Sequence, residues 1–145
     1  MNIAIFILPE GNLKKRIKGW KKKIKKEIFD SPYVDHPPHM TLMNINISTS
    51  SEKKCINILK NLTTSIKPFK MKIINTGIFW DDKLTGGHTL FYGIEQNKRL
   101  NNLQMTIAEG LKPMLKKNVK PHKLLNGDLV LNNSFKKYGF PFAGS

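Results

Sequence analysis

Asp35-His36-Pro37-Pro38-His39-Met40-Thr41-Leu42-Met43-Asn44-Ile45 is the stretch of this chain in which residue types, spacing and neighbours together point to chemistry. Pro37 and Pro38 hold φ near about −65° and keep the residue before each out of the helical region, so the chain arrives extended and a strand starts close to His39. Residues two apart on a strand share a face. His39 and Thr41 therefore project together, about 7 Å apart at Cα, while Met40 and Leu42 face the other way. An imidazole that exchanges a proton near neutral pH, beside a hydroxyl donor, suits a phosphate oxygen or a developing alkoxide. The same spacing also serves plain surface pairing, so its neighbours carry weight. Tyr33 and His36, just upstream, are candidate substrate-binding residues, and His88 is a further one from elsewhere in the chain.

These residues have to be positioned by the elements around them. Asn2 to Leu8 reads as a buried strand stopped by Pro9 and Gly11, lying beside the His39 strand. Asn12 can cap a helix whose apolar residues Leu13, Ile17, Trp20, Ile24 and Ile28 form one stripe, expected to pack on a sheet. The remaining positions, Lys21 and Lys22 among them, make an almost wholly cationic outer face. That face is a solvated surface by default and a nucleic-acid or anionic-membrane contact as alternatives. Asp30-Ser31-Pro32 ends the helix.

After Leu42 the apolar parity changes, because Met43, Ile45 and Ile47 would continue the face of His39 and Thr41. A bulge near Leu42 and Met43 resolves the conflict, and bulges are frequent beside active sites. Ser48 to Ser51 supply caps for a helix with Cys55, Leu59, Leu62 and Ile66 inward. Phe69 to Trp80 and Thr89 to Ile94 read as a hairpin around the turn Asp81–Gly87. Asn97 opens a helix with Leu100, Leu103, Ile107 and Leu111 inward, ended by Gly110, Lys112 and Pro113. Leu124 to Phe135 is expected to be a short, partly helical stretch, followed by an aromatic, turn-rich tail. This order predicts an α+β fold with mostly antiparallel sheet.

At 145 residues the chain suits one domain, residues 1–145, with 39% hydrophobic residues. The balance of 25 Lys and Arg against 10 acidic residues gives a net charge of +15, a field that concentrates polyanions. Abundant lysine, asparagine and isoleucine together are also what an AT-rich coding sequence produces. One cysteine, Cys55, rules out an internal disulfide and fits a reducing, cytoplasmic compartment, where it is read as a core residue. The four histidines show no metal-ligand spacing, so no metal and no cofactor are expected. The apolar start is too short for a membrane span or signal segment, and no membrane association is expected.

Pro-His-x-Thr-Leu at residues 38–42, on an early strand, resembles the first motif of the two-histidine phosphoesterase superfamily, which includes 2′-5′ RNA ligase-like and 2′,3′-cyclic phosphodiesterase proteins. The resemblance implies two pseudo-symmetric lobes of antiparallel sheet around a cleft, helices outside, and two His-x-Thr/Ser motifs facing each other. It implies an RNA-processing phosphoesterase acting on RNA or a nucleotide with a cyclic phosphate. His39 would be a catalytic acid-base group, Thr41 would donate to a non-bridging oxygen, and no metal would be needed. The second motif does not follow. His88-Thr89 has its hydroxyl on the adjacent residue, and His122-Lys123-Leu124 has none. The Gly-Phe-Pro-Phe-Ala-Gly-Ser tail stands where that motif belongs, so the C-terminal lobe is expected to lack its last strand or strands. A non-catalytic RNA- or phosphate-binding protein is the competing expectation, and a membrane-surface protein a third.

Overall fold

The computed structural model describes residues 1–28, 33–82, 86–116, 119 and 128–143. The elements are β1 (Asn2–Ile7), α1 (Gly11–Glu27), β2 (Met40–Asn46), α2 (Glu52–Thr64), β3 (Ile73–Asp82), β4 (Gly87–Ile94), α3 (Lys98–Leu111) and α4 (Leu129–Tyr138), with 3-10 turns at Thr49–Ser51 and Lys112–Met114. The class is α+β. β1 pairs antiparallel with β2, and β3 with β4, as two separate two-stranded sheets rather than a closed barrel. The expected stop at Asp30-Ser31-Pro32, the turn residues 83–85, His122 and the stretch 124–127 lie outside the described residues.

The core forms on one face of β1–β2. Leu42, Met43, Ile45 and Ile47 pack with Cys55 of α2 and with Ile107, Ala108 and Leu111 of α3. Tyr138, Phe140 and Ala143 complete it, so the aromatic tail is core rather than loose end. The stripe expected on α3 faces inward, as do Cys55, fully buried, and Leu59 of α2, whereas Ile66 lies beyond the end of α2 at Thr64. Asn97 caps α3 as expected, its side chain accepting from the amides of Arg99 (3.0 Å) and Leu100 (3.2 Å). Asp128 does the same for α4 through Leu131. Gly139, at φ +68°, stops α4 in the left-handed conformation.

Four local expectations need correction. Gly110 does not end α3, which runs on to Leu111; a Cβ there would come within 2.5 Å of Leu62 Cδ1, so glycine is what lets α3 approach α2. α1 starts at Gly11 with Glu10 in the capping position and no side-chain cap, so Asn12 lies inside the first turn. The residues Ser48 to Ser51 give a 3-10 turn without a side-chain cap to α2. The hairpin strand begins at Ile73 rather than Phe69, and no residue of β3 or β4 joins the core. Phe91 instead places the end of its ring where a Cβ on Gly77 would stand and stacks on Phe79 at 4.3 Å, so this hairpin packs largely on itself.

α1 departs most from its expected packing. Leu13, Ile17 and Ile24 are half-buried, but the helix buries no residue fully and Trp20 is 55% exposed. Trp20 carries Lys23 over its ring at 4.8 Å instead of facing a sheet. The stripe is completed not by Trp20 but by Lys21, which the sequence placed on the outer face.

Candidate functional site

β1 and β2 turn one apolar face to the core and one open face to solvent. The bulge makes this possible. Ile5 pairs with Met43 and Phe6 with Thr41, which leaves Leu42 as the extra residue on β2. Leu42 and Met43 then both point inward, and Thr41 and Asn44 both point outward. A regular strand would have put Met43 and Ile45 on the face of His39. The carbonyl of Leu42, the bulged residue, accepts from Gln104 Nε2 of α3 at 3.1 Å, and the same amide nitrogen donates to the Phe142 carbonyl at 3.1 Å. One glutamine thus joins the bulge to the C-terminal tail. Nothing in the local sequence of α3 marked it.

On the open face, His39 and Thr41 are exposed neighbours, as the period-two argument requires. The His39 ring lies 4.2 Å from that of Phe6, and its Nδ1 is 2.8 Å from the Pro37 carbonyl oxygen. A carbonyl only accepts, so Nδ1 carries the proton and the neutral ring keeps its lone pair on Nε2. Nε2 is then the ring's acceptor atom on the open face. The other outward residues are Asn2, Ala4, Phe6, Asn44 and Asn46, and none is charged. Of two cavities among the described residues, neither is lined by His39 or Thr41, and one reaches this face only at Asn46. One of about 440 Å³ lies along α3, and one of about 520 Å³ lies by Lys116 and Gly139.

The turn that delivers His39 is held by α1. Lys21 Nζ donates to the carbonyls of Tyr33 (3.0 Å) and His36 (2.5 Å), and Lys25 pairs with Asp35 at 2.6 Å. Desolvation lowers the Lys21 pKa below the ordinary lysine value, against an opposing pull from Asp35. Tyr33 and His36 come together, ring edge to ring face at 5.4 Å, on that exposed turn.

His88 is placed elsewhere. It stands near the turn end of the β3–β4 hairpin, edge-on to Trp80, and its Nδ1 accepts from the Asp81 amide at 3.0 Å. The structure pairs neither strand of that hairpin with β1 or β2. Thr89, next to it, donates to Asp82 at 2.7 Å. Among the described residues no second imidazole is bonded to or stacked on His39, no group of three His, Cys, Asp or Glu could hold a metal ion, and no helix is long and apolar enough to cross a membrane.

No curated protein and no solved structure matches the chain. Residues 9–123, however, match the family described as the 2′-5′ RNA ligase superfamily, a span that takes in α1, the held turn, His39, Thr41 and the hairpin. On that match, which covers well over half its length, the chain belongs to the 2′-5′ RNA ligase superfamily.

Proposed function

We propose that this protein is an RNA-processing phosphoesterase of the cyclic-phosphodiesterase or RNA-ligase-like kind, acting on 2′,3′-cyclic phosphate ends or 2′-5′ linkages through His39 and Thr41. Superfamily membership supports the phosphoester chemistry and an RNA or nucleotide substrate. The observation that carries the residue assignment is the Nδ1 contact to Pro37, which leaves Nε2 as a base on the face that Thr41 shares. In cyclic-phosphate opening, a water gives its proton to His39 Nε2 as its oxygen attacks phosphorus. Thr41 donates to a non-bridging oxygen, and the bond to one ribose oxygen breaks. That leaving oxygen takes its proton from solvent water, and the reading invokes no metal or cofactor.

A second reading, a phosphate- or RNA-binding protein without turnover, is favoured by the placement of His88 on the separate hairpin. Losing one of two proton-transfer groups typically costs about 10²–10⁴-fold in rate. Incubation with a 2′,3′-cyclic mononucleotide, with His39→Ala in parallel, separates the two. Turnover abolished by the substitution supports the enzyme. Binding abolished by it without turnover supports the binder, and neither binding nor turnover overturns both.

A further inference from the structure

The open face of β1–β2 offers His39 and Thr41 to one phosphate and no lysine or arginine to the phosphates beside it. Its outward residues other than His39 are uncharged, so any cations that hold upstream phosphates must come from another element. The element tied to this site is α1, through Lys21 and Lys25 on the turn that leads to His39. Nine of its 17 residues are Lys or Arg, and its only acid is Glu27. Among the described residues, Lys25 is the only one of those nine that pairs with a carboxylate.

The spacing orders these charges. Lys14, Lys18 and Lys22 fall on successive turns about 6 Å apart along the axis, on the flank where Lys21 and Lys25 meet the turn. All three are exposed. An unpaired cationic row leading to a phosphate-recognising end is what a single strand of RNA needs to be held by its backbone. An anionic bilayer fits less well. Insertion needs a broad free apolar face, whereas here Leu13, Ile17 and Ile24 are half-covered and Lys21 sits among them, bonded to carbonyls.

We infer that α1 is the RNA-binding rail of this protein, with Lys14, Lys18 and Lys22 holding the strand whose terminal phosphate lies at His39 and Thr41, so that the substrate is an oligonucleotide rather than a mononucleotide. This rests on the phosphoester reading of His39, and the test separates the two. Fluorescence anisotropy would follow a labelled single-stranded RNA ending in a 2′,3′-cyclic phosphate from 50 to 200 mM salt, alongside binding of a cyclic mononucleotide. The triple variant Lys14→Gln/Lys18→Gln/Lys22→Gln should lower the salt slope by about 2, a salt-dependent change of roughly twentyfold over that range, and leave mononucleotide binding unchanged. The triple Lys→Arg variant should keep the wild-type slope. His39→Ala should do the converse, losing the mononucleotide while retaining most RNA affinity. Wild-type affinity and slope in the Gln variant overturn the rail, as does a loss confined to phosphatidylserine vesicles. A His39→Ala variant that still binds mononucleotide overturns the phosphate site and leaves the rail to its own result.

Discussion

The Pro37 carbonyl decides what His39 can do, because holding the Nδ1 proton makes Nε2 the atom presented to solvent. Thr41 contributes a single hydroxyl beside it. Thr41→Val keeps the shape and removes that donor, so phosphate binding should weaken by about 0.5–1.5 kcal/mol, up to roughly tenfold, with an unchanged unfolding curve. Titration calorimetry with the cyclic mononucleotide checks this. Cys55 is the opposite case, a nucleophile made inert by position. Burial pushes its thiol above the ordinary value, so the folded chain keeps a proton that the unfolded chain has begun to lose. Its contribution to stability is complete below the ordinary thiol range and is lost as pH rises toward the raised folded value. Urea midpoints should therefore fall less steeply through the alkaline range in Cys55→Ala than in the parent, and native Cys55 should alkylate only as fast as the protein opens.

At the scale of elements, β2 is held in its bulged form by a helix on the far side of the sheet. Gln104→Leu would remove the part-buried hydrogen bonds that the amide gives to the Leu42 and Phe142 carbonyls. A loss of about 1–3 kcal/mol in denaturant unfolding is expected. Trp20→Ala on α1 should cost under about 1 kcal/mol, since the ring is mostly in water and its contact is with Lys23. The contrast shows what periodicity can and cannot report. The stripes of α2, α3 and α1 are equally regular, and the first two face a core because β2 lies behind them. A repeat says which face is apolar, not whether anything covers it. The bulge was legible, because Leu42 and Met43 cannot both face inward on a regular strand, and so was the His39–Thr41 pair. Lys21 was not legible. Its carbonyl partners lie on a turn twelve and fifteen residues away, and no local pattern predicts a lysine closing an apolar stripe.

Over the whole molecule the structure divides into a packed body and a hairpin. No β3 or β4 residue belongs to the core, and Phe79 and Trp80 stand 56% and 68% exposed. Amide exchange in β3 and β4 should therefore proceed by local opening, well ahead of β1 and β2, whose amides report global unfolding. Hydrogen exchange followed residue by residue checks the order. The body has a chronology of its own. Ile45 and Ile47, near the start of the chain, are covered by residues as late as Tyr138, Phe140 and Ala143. As the polypeptide emerges from the ribosome, β1 and β2 can pair early, yet their apolar side is only partly covered, first by α2 and then by α3, until Tyr138, Phe140 and Ala143 have been made. Until those residues emerge the nascent chain carries an unfinished sheet, whose uncovered apolar side is open to premature association.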